Sequence, residues 1–318
     1  MLQQTKALAI VGGGRWGQLL LSILATMRIP FSEIIMVSRA NAEEVKAKVA
    51  ELELISLTPL KVVATIDDLF AQHTIAAAIV VNSARQHFET AHRLIKNKVH
   101  VLIEKPIVLS LEQMKNLIEE AKHQNICLVP GLSYRFCSYI QNFATEVRKK
   151  GIPKKFCLRW SDANSETRYG QVKKFDQSIN IIQDVMSHIW TILSGLFQHP
   201  TINILSCSQT MDKAALNISI NGIEGQLLLE RNALNRERHL LVQFDTNQLI
   251  LDFTREPGII KTSSEEYSAD PLWSQKCTPL TQQLMYFFSL LPSGQSTVED
   301  LNYCLHSVSC TEQASSSV

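Results

Sequence analysis

The sequence predicts an α/β protein in which a doubly wound parallel sheet precedes an α+β domain on an open, mostly antiparallel sheet. Three observations carry this. From residue 6 to 130, near-continuous apolar runs alternate with stretches of helical period, as in a parallel sheet covered on both faces. Past Pro130-Gly131 the chain changes to short runs separated by Asn, Gly and Asp, which read as antiparallel strands. Between the first apolar run and the first helical one lies a glycine-rich turn, Gly12-Gly13-Gly14-Arg15-Trp16-Gly17.

In order, the apolar runs place strands at 7–11, 33–37, 61–64, 76–81, 99–103 and 126–129. Helix-period segments lie near 15–27, 42–52, 87–97 and 110–123, the last opened by a capping-box pair, Ser110 and Gln113. A helix over 137–149 ends at Gly151-Ile-Pro153, and a strand follows at 155–161. A polar loop, 162–175, leads to one apolar helix over 177–196. Short runs near 202–208, 215–220, 224–230, 238–244, 248–253 and 257–262 build the second sheet. Helices over 279–291 and 297–311 close the chain, and the polar tail is expected to fray. The expected division is 1–125 and 126–318, the second part an α+β domain.

Composition narrows the function. A chain of 318 residues suits two domains, and 45% hydrophobic residues can fill both cores. A formal charge of +1 gives no basic footprint for nucleic acid. No apolar run reaches spanning length, and no signal-peptide pattern stands at the start. Seven scattered cysteines with no Cys-x-x-Cys pair fit reduced thiols in a cytoplasmic protein. His87, His92, His123 and His239 lack metal-ligand spacing, so no metal is expected.

The pattern Gly12-x-Gly14-x-x-Gly17 after a strand permits a tight turn and close approach of backbone to a pyrophosphate. The following helix offers its N-terminal N–H groups and positive dipole end to the phosphates. The second strand ends Met36-Val37-Ser38-Arg39, where an acid usually holds the adenosine ribose. Ser38 with Arg39 suits a 2′-phosphate, which favours NADP over NAD.

Glu104-Lys105-Pro106 ends an apolar strand on the edge where open α/β sheets bind ligands. An ammonium there can give or take the proton that accompanies hydride transfer. On the helix over 177–196, Ile182, Val185, Met186, Ile189 and Leu193 form an apolar stripe. Asp184 and His188, four apart, project from the other side, in a stretch without Lys, Arg or Glu. That setting suggests a sheltered site where His188 handles a proton and Asp184 orients a hydroxyl or the imidazole. Trp160, Trp190 and Trp273 are expected to pack.

Together these residues resemble the Gfo/Idh/MocA family, named for glucose–fructose oxidoreductase and inositol dehydrogenase. The resemblance rests on the glycine turn, the run from Val80-Val81-Asn82-Ser83 to His87, Val101–Pro106, Gly131 with Arg135-Phe136, and Asp184-x-x-x-His188. It implies a Rossmann domain plus a C-terminal domain whose open sheet often forms a homo-oligomer interface. It also implies hydride transfer at a carbinol or carbonyl carbon of a sugar, cyclitol or nucleotide-sugar-like substrate. By matching position, Lys105 is the catalytic lysine, His188 the acid/base residue and Asp184 a substrate ligand. Cofactor contacts are expected from Gly12, Gly14, Arg15, Trp16, Gly17, Ser38, Arg39, Asn82, Ser83, His87, Glu104 and Lys105. The Trp-Gly form of the turn looks like that of members acting on nucleotide-linked sugars. The chain departs from the pattern at Ser178-Ile-Asn180, Met186, Thr191 and Ser83. Those departures leave open a differently shaped ligand, a non-catalytic dinucleotide-binding regulator, or a redox-assisted lyase or glycosidase.

Overall fold

The computed structural model describes residues 6–165, 167–168, 171–172, 175–197 and 200–316. The chain divides into two compact units, Met1–Gly131 with Gln283–Val308, and Leu132–Gln282 with Ser309–Val318.

The first unit runs β1 (Ala7–Val11), α1 (Arg15–Thr26), β2 (Ile34–Val37), α2 (Ala42–Glu53), β3 (Leu60–Val63), α3 (Ile66–Gln72), β4 (Ile75–Val80), α4 (His87–Lys96), β5 (His100–Glu104), α5 (Leu111–Gln124) and β6 (Leu128–Gly131). Its sheet has the order β3-β2-β1-β4-β5-β6, and every pair is parallel. Strands covered on both faces must be apolar at every position, and β1, β2 and β6 are buried throughout. Strand order reverses between β1 and β4, so the loops leaving their carboxyl ends define the ligand edge of the sheet. The helix α3 is absent from the periodicity reading because seven residues give too short a pattern. Its start is nonetheless marked by a full capping box between Thr65 and Asp68.

The second unit holds α6 (Ser138–Lys150), β7 (Lys155–Ala163), β8 (Thr167–Arg168), β9 (Gln171–Val172), α7 (Ile181–Leu196), β10 (Ile202–Gln209), β11 (Lys213–Ile220), β12 (Ile223–Ala233), β13 (Glu237–Gln243), β14 (Gln248–Asp252), β15 (Ile259–Lys261) and β16 (Glu266–Ser268). Eight strands form one sheet in the order β10-β11-β12-β7-β13-β14-β15-β16, antiparallel except for β12 with β7. Alternate residues of β11 and β13 are buried, and α6 and α7 pack in the same apolar cluster as those inward rows. The expected polar loop over 162–175 contains the short β8–β9 pair; residues 166, 169, 170, 173 and 174 of it lie outside the described residues. The three-residue β16, exposed along its length, has no sequence signal.

Two helices follow, α8 (Pro279–Leu290) and α9 (Val298–Ser316). The expected division at 125/126 differs from the observed grouping in two stretches. Residues 128–131 pair as β6 with β5, so they and the 126–127 link complete the first sheet. Residues 283–308 join the first unit because Ser296 bonds both Leu128 N–H (2.7 Å) and Leu128 C=O (3.0 Å), and Cys304 and Val308 are buried in its core. The tail expected to fray is helical to Ser316, since Ala314 is buried in the second core and the Ser315 carbonyl accepts from Gln209; residues 317–318 lie outside the described residues.

Leu240, fully buried on β13, anchors the second core. Leu240→Ala is expected to cost about 2–5 kcal/mol in urea unfolding; a loss under about 0.5 kcal/mol would show that this position is not core.

Candidate active site

In the first unit the glycine turn is shaped by two close approaches. Gly12 has φ +132°, and a Cβ there would meet the Asn82 nitrogen and the Val81 carbonyl carbon at 2.6 Å. A Cβ on Gly17 would lie 1.9 Å from the Gly12 carbonyl oxygen. Gly14 differs: its φ is −69°, and a Cβ would meet nothing within 4 Å. Neither backbone conformation nor packing demands glycine there, so the open cradle suits a ligand that comes close to the main chain. Gly14 also caps α1 without a side-chain bond, and the first turn of α1 carries no acid. Uncapped N–H groups and the dipole then favour an anion. The Gly13 carbonyl accepts from Gln18 (3.0 Å) and Asn41 (3.3 Å), which holds the turn. Arg15 and Trp16 are half-buried beside it.

At the end of β4, Asn82 donates from Nδ2 to Thr90 (2.8 Å), while its Oδ1 is buried without a partner among the described residues. A buried acceptor left over beside the glycine turn fits a donor on a bound dinucleotide. Ser83 is exposed at the start of the short turn that leads into α4. His87, 2% exposed, contacts the Pro106 carbonyl through Nδ1 (2.7 Å) and the Asn82 carbonyl through Nε2 (3.1 Å). Both ring nitrogens are thus engaged by main chain. His87 thereby ties the Asn82 and Pro106 loops together.

The Lys105–Pro106 bond is cis, and Lys105 is half-buried at the carboxyl end of β5. Glu104 is buried, with the Gln283 amide donating to it at 3.2 Å. Burial pushes its carboxyl above the usual value, opposed by Gln283, Trp16 and Lys105. It therefore supports the Lys105 turn from inside the fold. At the end of β2, Ser38 is buried and Arg39 exposed, with no acid paired to that guanidinium among the described residues.

In the second unit, α7 begins at Ile181 under a full capping box formed by Asn180 and Gln183. The expected start near 177 shifts because Arg231, 1% exposed, fastens the preceding segment. It bonds the carbonyls of Asp176 (3.3 Å) and Ile179 (2.9 Å) and pairs with Asp212 at 2.6 Å. Asp184 and His188 share the half-buried side of α7, opposite the buried Val185, Met186 and Ile189. Thr191, on the same line, is buried and donates to the Ser187 carbonyl at 2.6 Å. His188 sits among aromatics: Trp160 lies nearly parallel at 5.6 Å, and Tyr134 meets it edge-on at 5.0 Å. Trp160 is buried, as expected of a packing residue, yet what it packs against is the imidazole.

The sequence reading missed Arg231, Arg238, Asp162 and Gln283. For the first three a signal existed. Each falls in the inward phase of its strand, after Leu227 and Leu229, before Leu240 and Val242, and after Leu158 and Trp160. A charge in an inward register must be paired. Among the described residues no group of three or more His, Cys, Asp or Glu gathers as a metal site, and no helix is long and apolar enough to cross a membrane.

Geometry of the first unit defines a dinucleotide-binding α/β protein. Residues 6–132 match the model of the GFO_IDH_MocA oxidoreductase family with its NAD-binding Rossmann fold. A stretch of 92 residues is 30% identical to myo-inositol 2-dehydrogenase from Thermotoga maritima, 29% of this chain and 28% of that protein. The chain thus spans under a third of that relative's length. Among solved structures, UDP-N-acetylglucosamine 3-dehydrogenase GnnA from Acidithiobacillus ferrooxidans superposes with a TM-score of 0.74 at 19% identity, over 98% of this chain and 97% of that one. The 3-ketoreductase KijD10 from Actinomadura kijaniata, solved with TDP-benzene and NADP, gives 0.78 at 14% identity, over 99% and 98%. At these identities the likeness shows the fold.

Gly14→Ala is expected to cost no more than about 1 kcal/mol of stability, the N-cap difference. Its NADP affinity by calorimetry falls about tenfold or more, about 1.4 kcal/mol. Gly17→Ala lowers stability itself, because the Gly12 carbonyl must move. For Glu104, from its ordinary value of 4.5 upward to the raised folded value, the unfolded chain has released a proton that the folded chain keeps. Stability therefore falls as pH rises through that interval. Urea unfolding should show wild type losing stability relative to Glu104→Gln across it; parallel curves would contradict the assignment.

Proposed function

We propose that this protein is an NAD(P)-dependent oxidoreductase acting at a carbinol or carbonyl carbon of a nucleotide-sugar-like substrate. The observation that carries the proposal is the open cradle at Gly14, beside an unsatisfied Asn82 oxygen, on the ligand edge of a family-matched sheet that also presents Lys105. The residues present fit a dinucleotide: the N-terminus of α1 holds its pyrophosphate, Asn82 accepts from it, and Ser38 with Arg39 receives a 2′-phosphate, favouring NADP. When bound, the cofactor supplies or accepts the hydride at its nicotinamide C4.

The chain's own groups manage the rest. Lys105 carries an ammonium that donates a hydrogen bond to the substrate oxygen and, in the oxidising direction, receives the hydroxyl proton as the neutral amine. His188 is the second acid/base group we assign, an imidazole being able both to give and to take a proton. Asp184, one turn earlier on α7, accepts from a neighbouring substrate hydroxyl and fixes which carbon faces the reaction. The nucleotide-sugar class is supported by the Gly-x-Trp-Gly turn and by the two structural neighbours, one a UDP-N-acetylglucosamine 3-dehydrogenase and one a 3-ketoreductase solved with TDP-benzene. A homo-oligomer through the second sheet and a cytoplasmic site of action accompany this reading.

Lys105→Ala and His188→Ala are each expected to lower turnover about 10²- to 10⁴-fold, the usual cost of one acid/base group. Stopped-flow measurement with sugars, cyclitols and UDP- or TDP-linked sugars checks this, and a loss under about tenfold in either variant would remove that residue from the role. Product formed without net nicotinamide change would favour a redox-assisted lyase or glycosidase; bound NADP that no substrate oxidises or reduces would favour a regulator. Arg39→Glu is expected to weaken NADP about tenfold or more while leaving NAD within about threefold, because a carboxylate repels the 2′-phosphate.

A further inference from the structure

We propose that Trp160, held by the buried Asp162–Arg238 ion pair, positions the imidazole of His188; the inference rests on the reading of His188 as an acid/base group. Asp162 and Arg238 are 2% and 1% exposed. The Asp162 carboxylate accepts from an Arg238 Nη and, at 3.3 Å, from the Trp160 indole N–H. The Arg238 guanidinium lies over the same indole, 3.6 Å from its centroid, and also donates to the Ser161 and Glu237 carbonyls. The ring of Trp160 is therefore fixed both at its edge and at its face. His188 stacks on it at 5.6 Å with 23° between planes, and Tyr134 closes the corner, edge-on to both rings.

Two physical arguments separate this from ordinary packing. A buried ion pair is commonly no better for stability than apolar residues of similar volume, so its presence is poorly explained by stability alone. What it supplies is fixed geometry. The last torsion of histidine is broad and two-fold, so an unwalled imidazole samples a wide arc. A ring held on two sides presents its nitrogens in one direction, and proton transfer is sensitive to displacements of about 1 Å, worth up to about 10²-fold in rate. Trp160 and Arg238 act through His188 and need not touch substrate.

The test compares Trp160→Leu, Trp160→Phe and the double variant Asp162→Asn/Arg238→Met, which leaves no uncompensated charge. In isotope-labelled histidine spectra, with the His188 lines identified by their loss in His188→Gln, ring-current shielding should place them upfield. They should move toward the other histidines in Trp160→Leu and in the double variant, and stay in Trp160→Phe. The same two variants should lose about 10- to 10²-fold in kcat with KM within about threefold, while Trp160→Phe stays within about threefold of wild type. His188 lines unmoved in a folded Trp160→Leu, or kcat within about twofold of wild type in that variant, would overturn the inference. If the double variant does not fold, the Leu and Phe pair decides alone. Wild-type turnover in His188→Gln would instead defeat the acid/base reading, and the ring-proton lines would still report whether Trp160 holds the imidazole.

Discussion

The chemistry of the first unit depends on how closely the backbone after β1 approaches the backbone after β4. Only a residue without a Cβ can stand at Gly12, at φ +132°, against the Asn82 nitrogen. That contact links two loops at the point where the strand order reverses. From Asn82 the connection continues through His87 to the Pro106 carbonyl, so the glycine turn and the Lys105 turn belong to one network of main-chain contacts. Buried polar groups rather than long surface side chains make that connection.

In the second unit the organising element is charge in the dark. Arg231 fastens the segment that leads into α7, and Arg238 with Asp162 fastens the indole on which His188 rests. Burying guanidinium groups costs free energy, and multiple hydrogen bonds from each offset it. Both arginines stand in the row of side chains that faces α6 and α7, where leucine would pack more simply. Their hydrogen bonds fix the segment ahead of Asp184 and the ring beneath His188.

Much of this was legible beforehand because burial on both faces leaves a plain record. The six parallel strands, the glycine turn and the Asp184–His188 spacing all follow from residue type and period, and the structure places that pair on one side of α7. Other features were hidden for identifiable reasons. A seven-residue helix has too few turns to show a period, so α3 could be read only from its cap. The two carbonyls that close on His87 come from positions 5 and 19 residues away, and nothing local in the sequence reveals them. Arg231 and Arg238 lie in strands whose other polar residues mostly face outward, and only their inward phase marks them as buried charges. Gln283, bonded to Glu104 across 179 positions, left no local sign.

The central claim, that this chain moves hydride between a nicotinamide and a sugar-like carbon, is tested most directly by isotope transfer. NADPH deuterated at C4 is incubated with the protein and keto forms of UDP- and TDP-linked sugars, and the products are weighed by mass spectrometry. Deuterium should appear at the new carbinol carbon with one cofactor face preferred. Saturating NADPH binding with no label in any product, and none returned from labelled alcohol to NADP, would contradict it.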